Sequence, residues 1–275
     1  MPIIRTGDAA DGRLADYQGV TDPDGAASNG IFIAEGRLVV RRLLGSGTFA
    51  TRSVLVTEPA LASLSDALAQ RPEVPVFLVN QQVMNGIAGF NIHRGCLAVG
   101  ERPAPASWRD LAGQIPNPKT QIPGTLVCLE RVANADNVGG VFRNALAFAA
   151  GSVLLDPATI DPLYRKAIRT SMGAVLEVPF ARAAPWPGAL MELRNRGVAV
   201  IAMTPSRDAW PLGEAIAAAA GRPAAIVLGH EGNGLTAEAT SACEFQARIP
   251  ISGAVDSLNV ATAAAIALYE FARIR

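Results

Sequence analysis

Three short segments carry the residue types that chemistry needs, and each lies beside an apolar run. The first, Asn137-Val138-Gly139-Gly140-Val141-Phe142-Arg143, follows GTLVCLE and opens VFRNALAFAAG. Glycines at a strand-to-helix turn let backbone approach a ligand, and a helix N-terminus offers free N–H groups to an anion. Arg143 could then fork onto a phosphate or a ribose oxygen. The same segment also reads as a plain helix start, with Asn137 as cap and Arg143 facing solvent. The second segment runs from Leu228 to Leu235 after AAIVLG and sets three glycines, Gly229, Gly232 and Gly234, around the carboxylate of Glu231. Such spacing calls for unusual backbone angles or close approach of a ligand. The third is IPISGAVDSLNVATAAAIALYEFAR, read as a strand ending at Ile249-Pro250-Ile251, a turn with Gly253, and Ser257-Leu258-Asn259 opening an Ala-rich helix. Ser257 is the candidate cap, and the Ala face suits close helix packing as well as a cofactor.

Positioning these segments requires a sheet. GTLVCLE, SVLLD, VAVIAM, AAIVLG and FQARIPI are short apolar runs separated by helical stretches, the pattern of a mostly parallel sheet covered on both faces. Residues 123–275 are therefore expected to form one α/β domain. Residues 104–122 lie in ERPAPASWRDLAGQIPNPKTQIP, which contains five prolines and reads as a linker. Residues 29–103 form a smaller alternating α/β/α unit, in which FIAEGRLVVRRLLGSG reads as a short helix, RSVLVTE, VPVFLV and RGCLAVG as strands, and PALASLSDALAQ and NQQVMNGIAG as helices. Residues 1–28 show no clear period and read as an irregular lead-in.

Composition narrows the function. The chain has 275 residues, half of them hydrophobic, and no apolar run near the roughly 20 residues of a membrane span. The N-terminus resembles neither a secretory nor a transit signal, so a cytoplasmic location is expected. A net charge of zero excludes binding nucleic acid by bulk charge alone. Cys96, Cys128 and Cys243 sit in apolar contexts and His93 and His230 are isolated, so neither a disulfide framework nor a metal site is expected. A Rossmann loop needs G-x-G-x-x-G after the first strand and a P-loop needs G-x-x-x-x-G-K-[ST]; the segment at Gly229 is G-x-x-G-x-G and falls late, which sets a nucleotide-dependent enzyme aside.

Taken in order, NxGxxxR, LGxEGxGL and IPIxGxxxSLNVA with LYE resemble the three signature motifs of the SpoU (TrmH) RNA 2′-O-methyltransferases of the SPOUT class, over roughly residues 123–275. The first half resembles the small ribosomal-protein-like RNA-binding domain that often precedes the catalytic one. The resemblance implies a trefoil knot, a homodimer and S-adenosyl-L-methionine as cofactor, with Gly229, Ile249, Leu258, Gly232 and Thr204 lining its pocket. It implies an RNA substrate, rRNA ahead of tRNA. Arg143, Asn137, Glu231, Ser257 and Asn259 become the catalytic set. Because an arginine is protonated at neutral pH, Arg143 is read as binding a phosphate and orienting the 2′-hydroxyl, with the others holding it in place. Two departures stand out, since Ala261 stands where Ser is usual and His230 occupies a variable position of the second motif. An RNA-binding protein of the same fold without catalysis is the alternative.

Overall fold

The computed structural model describes residues 2–18, 23–88, 95–114, 124–219 and 221–274, which form two compact units. The first comprises Met1–Ala104 and Pro162–Glu177, and the second Pro105–Asp161 and Val178–Arg275. His93 lies outside the described residues.

In the first unit, β1 (Ile3–Arg5), β2 (Ile31–Glu35), β3 (Thr51–Val56), β4 (Val76–Leu78) and β5 (Cys96–Glu101) build a mixed sheet in the order β1-β4-β3-β5-β2. β1, β4 and β3 run parallel, whereas β5 is antiparallel to β3 and β2. Helices α1 (Pro23–Ser28), α2 (Arg37–Leu44), α3 (Glu58–Ala69) and α4 (Gln81–Ala88) connect the strands. Two expectations are corrected here. Residues 31–35 are a strand, buried at every position, and the helix begins only at Arg37, after Gly36 turns the chain with φ 96°. The lead-in contains β1 and a 3₁₀ turn, Gly12–Tyr17, whose Leu14 and Tyr17 enter the core; the Tyr17 hydroxyl lies 2.7 Å from Ser53 Oγ.

The second unit is a fully parallel sheet. Its elements are α5 (Trp108–Gly113), which falls within the expected linker, β6 (Thr125–Leu129), α6 (Ala135–Ala147), β7 (Ser152–Leu155), then, beyond α7 (Arg165–Thr170) of the first unit, β8 (Phe180–Arg182), α8 (Gly188–Asn195), β9 (Ala199–Met203), β10 (Trp210–Pro211), α9 (Leu212–Ala218), β11 (Ala224–Leu228), α10 (Ala237–Ala242), β12 (Phe245–Arg248) and α11 (Val260–Ile274). The strand order is β10-β12-β9-β11-β6-β7-β8, and every pairing is parallel. β6 and β11 are buried at all five positions, as strands covered on both faces must be. Cys128 and Cys243 belong to this core, and burial pushes both thiols up, that of Cys243 to about 12. No helix among the described residues is long and apolar enough to cross a membrane.

The segment Pro162–Glu177 interrupts the second unit in sequence but packs in the first, with α7 against the edge strand β2. That cover explains why an edge strand is buried throughout. Arg165 Nη1 bonds Glu35 Oε2 at 2.6 Å, with only 14% and 9% of the two side chains exposed, and Arg42 Nε pairs with Glu177 Oε1 at 3.1 Å. Removing one partner of a buried pair strands the other charge, so Glu35→Ala is expected to lower stability by about 3 kcal/mol in urea denaturation. A loss below about 1 kcal/mol would mean that solvent screens the pair as it screens surface pairs.

Candidate active site

Four adjacent strands, β12, β9, β11 and β6, end on one side of the parallel sheet, and the three chemical segments follow three of them. Crevices at the carboxyl ends of parallel strands are where open α/β sheets bind ligands. After β6 the chain reaches Asn134, whose side-chain oxygen accepts from the Asp136 N–H at 2.8 Å and caps α6. The cap is thus Asn134, and Asn137 lies one turn inside the helix, 8% exposed. Gly139 and Gly140 are helical as well and make no turn. A Cβ on Gly140 would meet the Ala261 Cβ at 2.8 Å, so this glycine lets α6 lie close against α11.

Being an amide, Asn137 can donate and accept at once. Its Nδ2 donates to Glu231 Oε1 at 2.8 Å, and its Oδ1 accepts from Asn259 Nδ2 at 2.8 Å. Asn259 Oδ1 in turn accepts from the N–H groups of Ala261 and Thr262, at 2.9 and 3.2 Å. Asn259, not Ser257, is therefore the cap of α11; Ser257 is exposed in the preceding loop. Asn144 Nδ2 adds a bond to the Ala261 carbonyl at 2.7 Å. Residues 94 and 122 positions from Asn137 are thereby joined through one side chain.

The glycine segment folds back on itself. His230 and Gly234 exchange two backbone hydrogen bonds, 3.1 and 2.9 Å, and His230 Nδ1 accepts from the N–H groups of Gly232 and Asn233 at 2.9 and 3.3 Å. A Cβ on Gly229 would fall 2.3 Å from the Gly234 carbonyl carbon, so no side chain fits where the loop closes. Partial burial disfavours the charge of Glu231, yet the Asn137 amide and backbone N–H groups, including that of Asn134 at 3.3 Å, outweigh it and hold the carboxyl below its usual value.

Thr204 follows β9, where its N–H bonds the Ala247 carbonyl at 2.9 Å, and Ile249 follows β12, which ends at Arg248 and not at Ile251. Thr204, Ile249 and Leu258 are half-buried, and Gly232 is exposed. Arg143 is exposed on α6 and makes no side-chain hydrogen bond or ion pair among the described residues; the expectation that Asn137, Glu231, Ser257 and Asn259 hold it in place therefore finds no direct bond. No group of three His, Cys, Asp or Glu side chains among the described residues could hold a metal ion.

Comparison with known proteins decides the family. Residues 124–269 match the model of the SpoU rRNA Methylase family. The chain belongs to that family. It is an RNA methyltransferase by that membership, and it is 41% identical over 271 residues to an uncharacterized tRNA/rRNA methyltransferase of Mycobacterium bovis, covering 97% of this chain and 90% of the relative. The AdoMet-bound rRNA methyltransferase of Sinorhizobium meliloti superposes with a TM-score of 0.79 at 25% identity, over 99% of this chain and 98% of the other. A crystallised RNA 2′-O ribose methyltransferase gives 0.76 at 25% identity, over 98% of each chain.

Sequence reasoning missed four members of this site. Asn134 is hidden because Asn137 sits in the motif; His230 stands at a variable motif position; Asn144 lies beyond the motif; and Glu130 only follows a strand, its contacts lying far away in the chain. The depressed carboxyl of Glu231 gives the site a pH signature. Its contribution is complete above the usual carboxylate value of 4.5 and is lost as pH falls through the lower folded-state value. Glu231→Gln is therefore expected to be less stable than wild type by about 0.5–1 kcal/mol at pH 7, with the gap closing as pH falls below that range. Denaturant titrations at a series of pH values check this, and a gap that widens in acid would contradict it.

Proposed function

We propose that this protein transfers the methyl group of S-adenosylmethionine to a ribose 2′-hydroxyl of structured RNA, ribosomal RNA ahead of transfer RNA. The observation that carries the reading is the hydrogen-bonded chain Glu231–Asn137–Asn259, which gathers all three motifs at the carboxyl ends of adjacent parallel strands. The AdoMet-bound and 2′-O ribose methyltransferases of the same fold support it. Half-buried Ile249 and Leu258 offer apolar surface to an adenine ring, with Thr204 and the backbone of Gly229 and Gly232 as polar partners, a set that fits this cofactor and no metal. Bound there, S-adenosylmethionine supplies a methyl group already activated by its sulfonium charge.

What remains for the protein is positioning. A ribose hydroxyl is a weak nucleophile, so holding it in line with the methyl group lowers the barrier most. Arg143, exposed one helical turn beyond the motif's glycines, is free to fork onto the neighbouring phosphate and turn the hydroxyl inward. Asn137, Glu231 and Asn259 hold α6 and α11 in register, and Ser257 faces the substrate from the loop before α11. The hydroxyl proton leaves to water or to a nearby acceptor as the bond forms.

The domain scheme completes the proposal. Residues 29–103, together with the returning segment Pro162–Glu177, read the RNA; residues 104–122 lead from them into the catalytic domain, on which α5 packs; and residues 123–275, apart from that returning segment, form the knotted catalytic domain in a cytoplasmic enzyme. The active form is a homodimer joined through α6 and α11, where Tyr269 remains 53% exposed beside half-buried Phe148 and Ile266. Leu268 and Phe271, by contrast, are spent on the chain's own core.

The test is transfer of labelled methyl groups into total RNA, followed by mapping of ribose methylation. Wild type is expected to add 2′-O-methyl marks, and Arg143→Ala to lower turnover at least about 100-fold with cofactor affinity within about twofold, since the guanidinium serves the RNA side. Label on a base, or undiminished turnover in Arg143→Ala, would overturn the assignment.

A further inference from the structure

Glu130 directly follows β6 and is 2% exposed, the most deeply buried carboxylate among the described residues of the second unit. Three donors from two distant segments converge on it. Trp186 Nε1 donates to Oε1 at 2.9 Å, the Thr236 hydroxyl donates to Oε1 at 2.8 Å, and the Thr236 backbone N–H donates to Oε2 at 2.8 Å. Thr236 is the residue at which the glycine loop ends and α10 begins, and its Oγ also accepts from the Ala239 N–H at 3.1 Å to cap that helix. At the loop's other end, the Glu130 N–H bonds the carbonyl of Leu228, the residue before Gly229, at 2.9 Å. One residue thus pins both ends of the loop Gly229–Leu235, by its backbone at the entrance and by its carboxylate at the exit.

We infer that Glu130 is a positioning residue that sets the shape of the glycine loop for cofactor binding, an inference that rests on the proposed reading of that loop. The loop's internal bonds, between His230 and Gly234 and from His230 Nδ1, fix its tip but not its placement against the sheet. Placement comes from Glu130, with half-buried Leu235 and Trp186 packed on the same core. Losing one of the three bonds leaves a half-buried donor without its buried acceptor and moves the loop's exit. Because Arg143 lies on α6 and belongs to neither anchored segment, the effect falls on cofactor and spares RNA.

The experiment measures S-adenosylmethionine affinity by calorimetry and the KM for each substrate in full-length Glu130→Gln, Thr236→Val and Thr236→Ser. Glutamine keeps the size of Glu130 but turns one acceptor into a donor facing the Thr236 N–H. Glu130→Gln is expected to weaken cofactor binding about tenfold, a scale set by one misplaced buried hydrogen bond. The KM for RNA should stay within twofold. Thr236→Val should weaken cofactor binding too, and Thr236→Ser, which retains the hydroxyl, should restore it. Unchanged cofactor affinity in Glu130→Gln, or a thermal shift with no change in affinity, would overturn the inference while leaving the proposed function in place. Failure of wild type to bind S-adenosylmethionine would instead overturn the functional reading on which it rests.

Discussion

The site depends on one amide. Asn137 is nearly buried and is asked for a donor and an acceptor in opposite directions, toward Glu231 and toward Asn259. A carboxamide carries the two on separate atoms that point apart: aspartate would place a second carboxylate beside Glu231, and an aliphatic residue would leave two polar partners unmet. Because its two partners stand on segments separated from it by 94 and 122 residues, the bond pair does in three dimensions what no local propensity could do. It also orders its neighbours. Asn259 Nδ2 is held by Asn137 while its Oδ1 caps α11, and donation from Asn137 and Asn134 holds the Glu231 carboxyl below its usual value.

Close approach of backbone is the second requirement. Gly140 allows α6 and α11 to approach until Ala261 fills the space a side chain would need, and the usual Ser of the family is replaced there by a residue without a polar atom to satisfy. Gly229 permits the loop to double back on itself. Glycine in this chain therefore makes room at the site, and the loop's rigidity comes from hydrogen bonds among its own backbone groups and His230.

Much of this was legible in the residues. The parallel sheet of the second unit follows from runs such as AAIVL and TLVCL, apolar on both faces, and the motif residues Asn137, Glu231 and Asn259 do meet. Other features were not. Residues 32–35 read as helix because their burial depends on a segment 130 positions later, whose Arg165 reaches Glu35. The cap of α6 reads as Asn137 instead of Asn134, and that of α11 as Ser257 instead of Asn259, because all four are residue types that cap helices, and only the actual helix start tells them apart. Glu130 carries no local signal, since both of its side-chain partners are remote.

The central claim is that Asn137 couples Glu231 to Asn259 to make a single cofactor site, and coupling is measured by a double-mutant cycle. Glu231→Ala, Asn259→Ala and the double variant would be compared for S-adenosylmethionine affinity, once with Asn137 present and once in Asn137→Ala. The account predicts non-additivity of about 1 kcal/mol or more with Asn137 present and additivity without it. Additive losses in both backgrounds would mean that the three motifs act independently, and would contradict it.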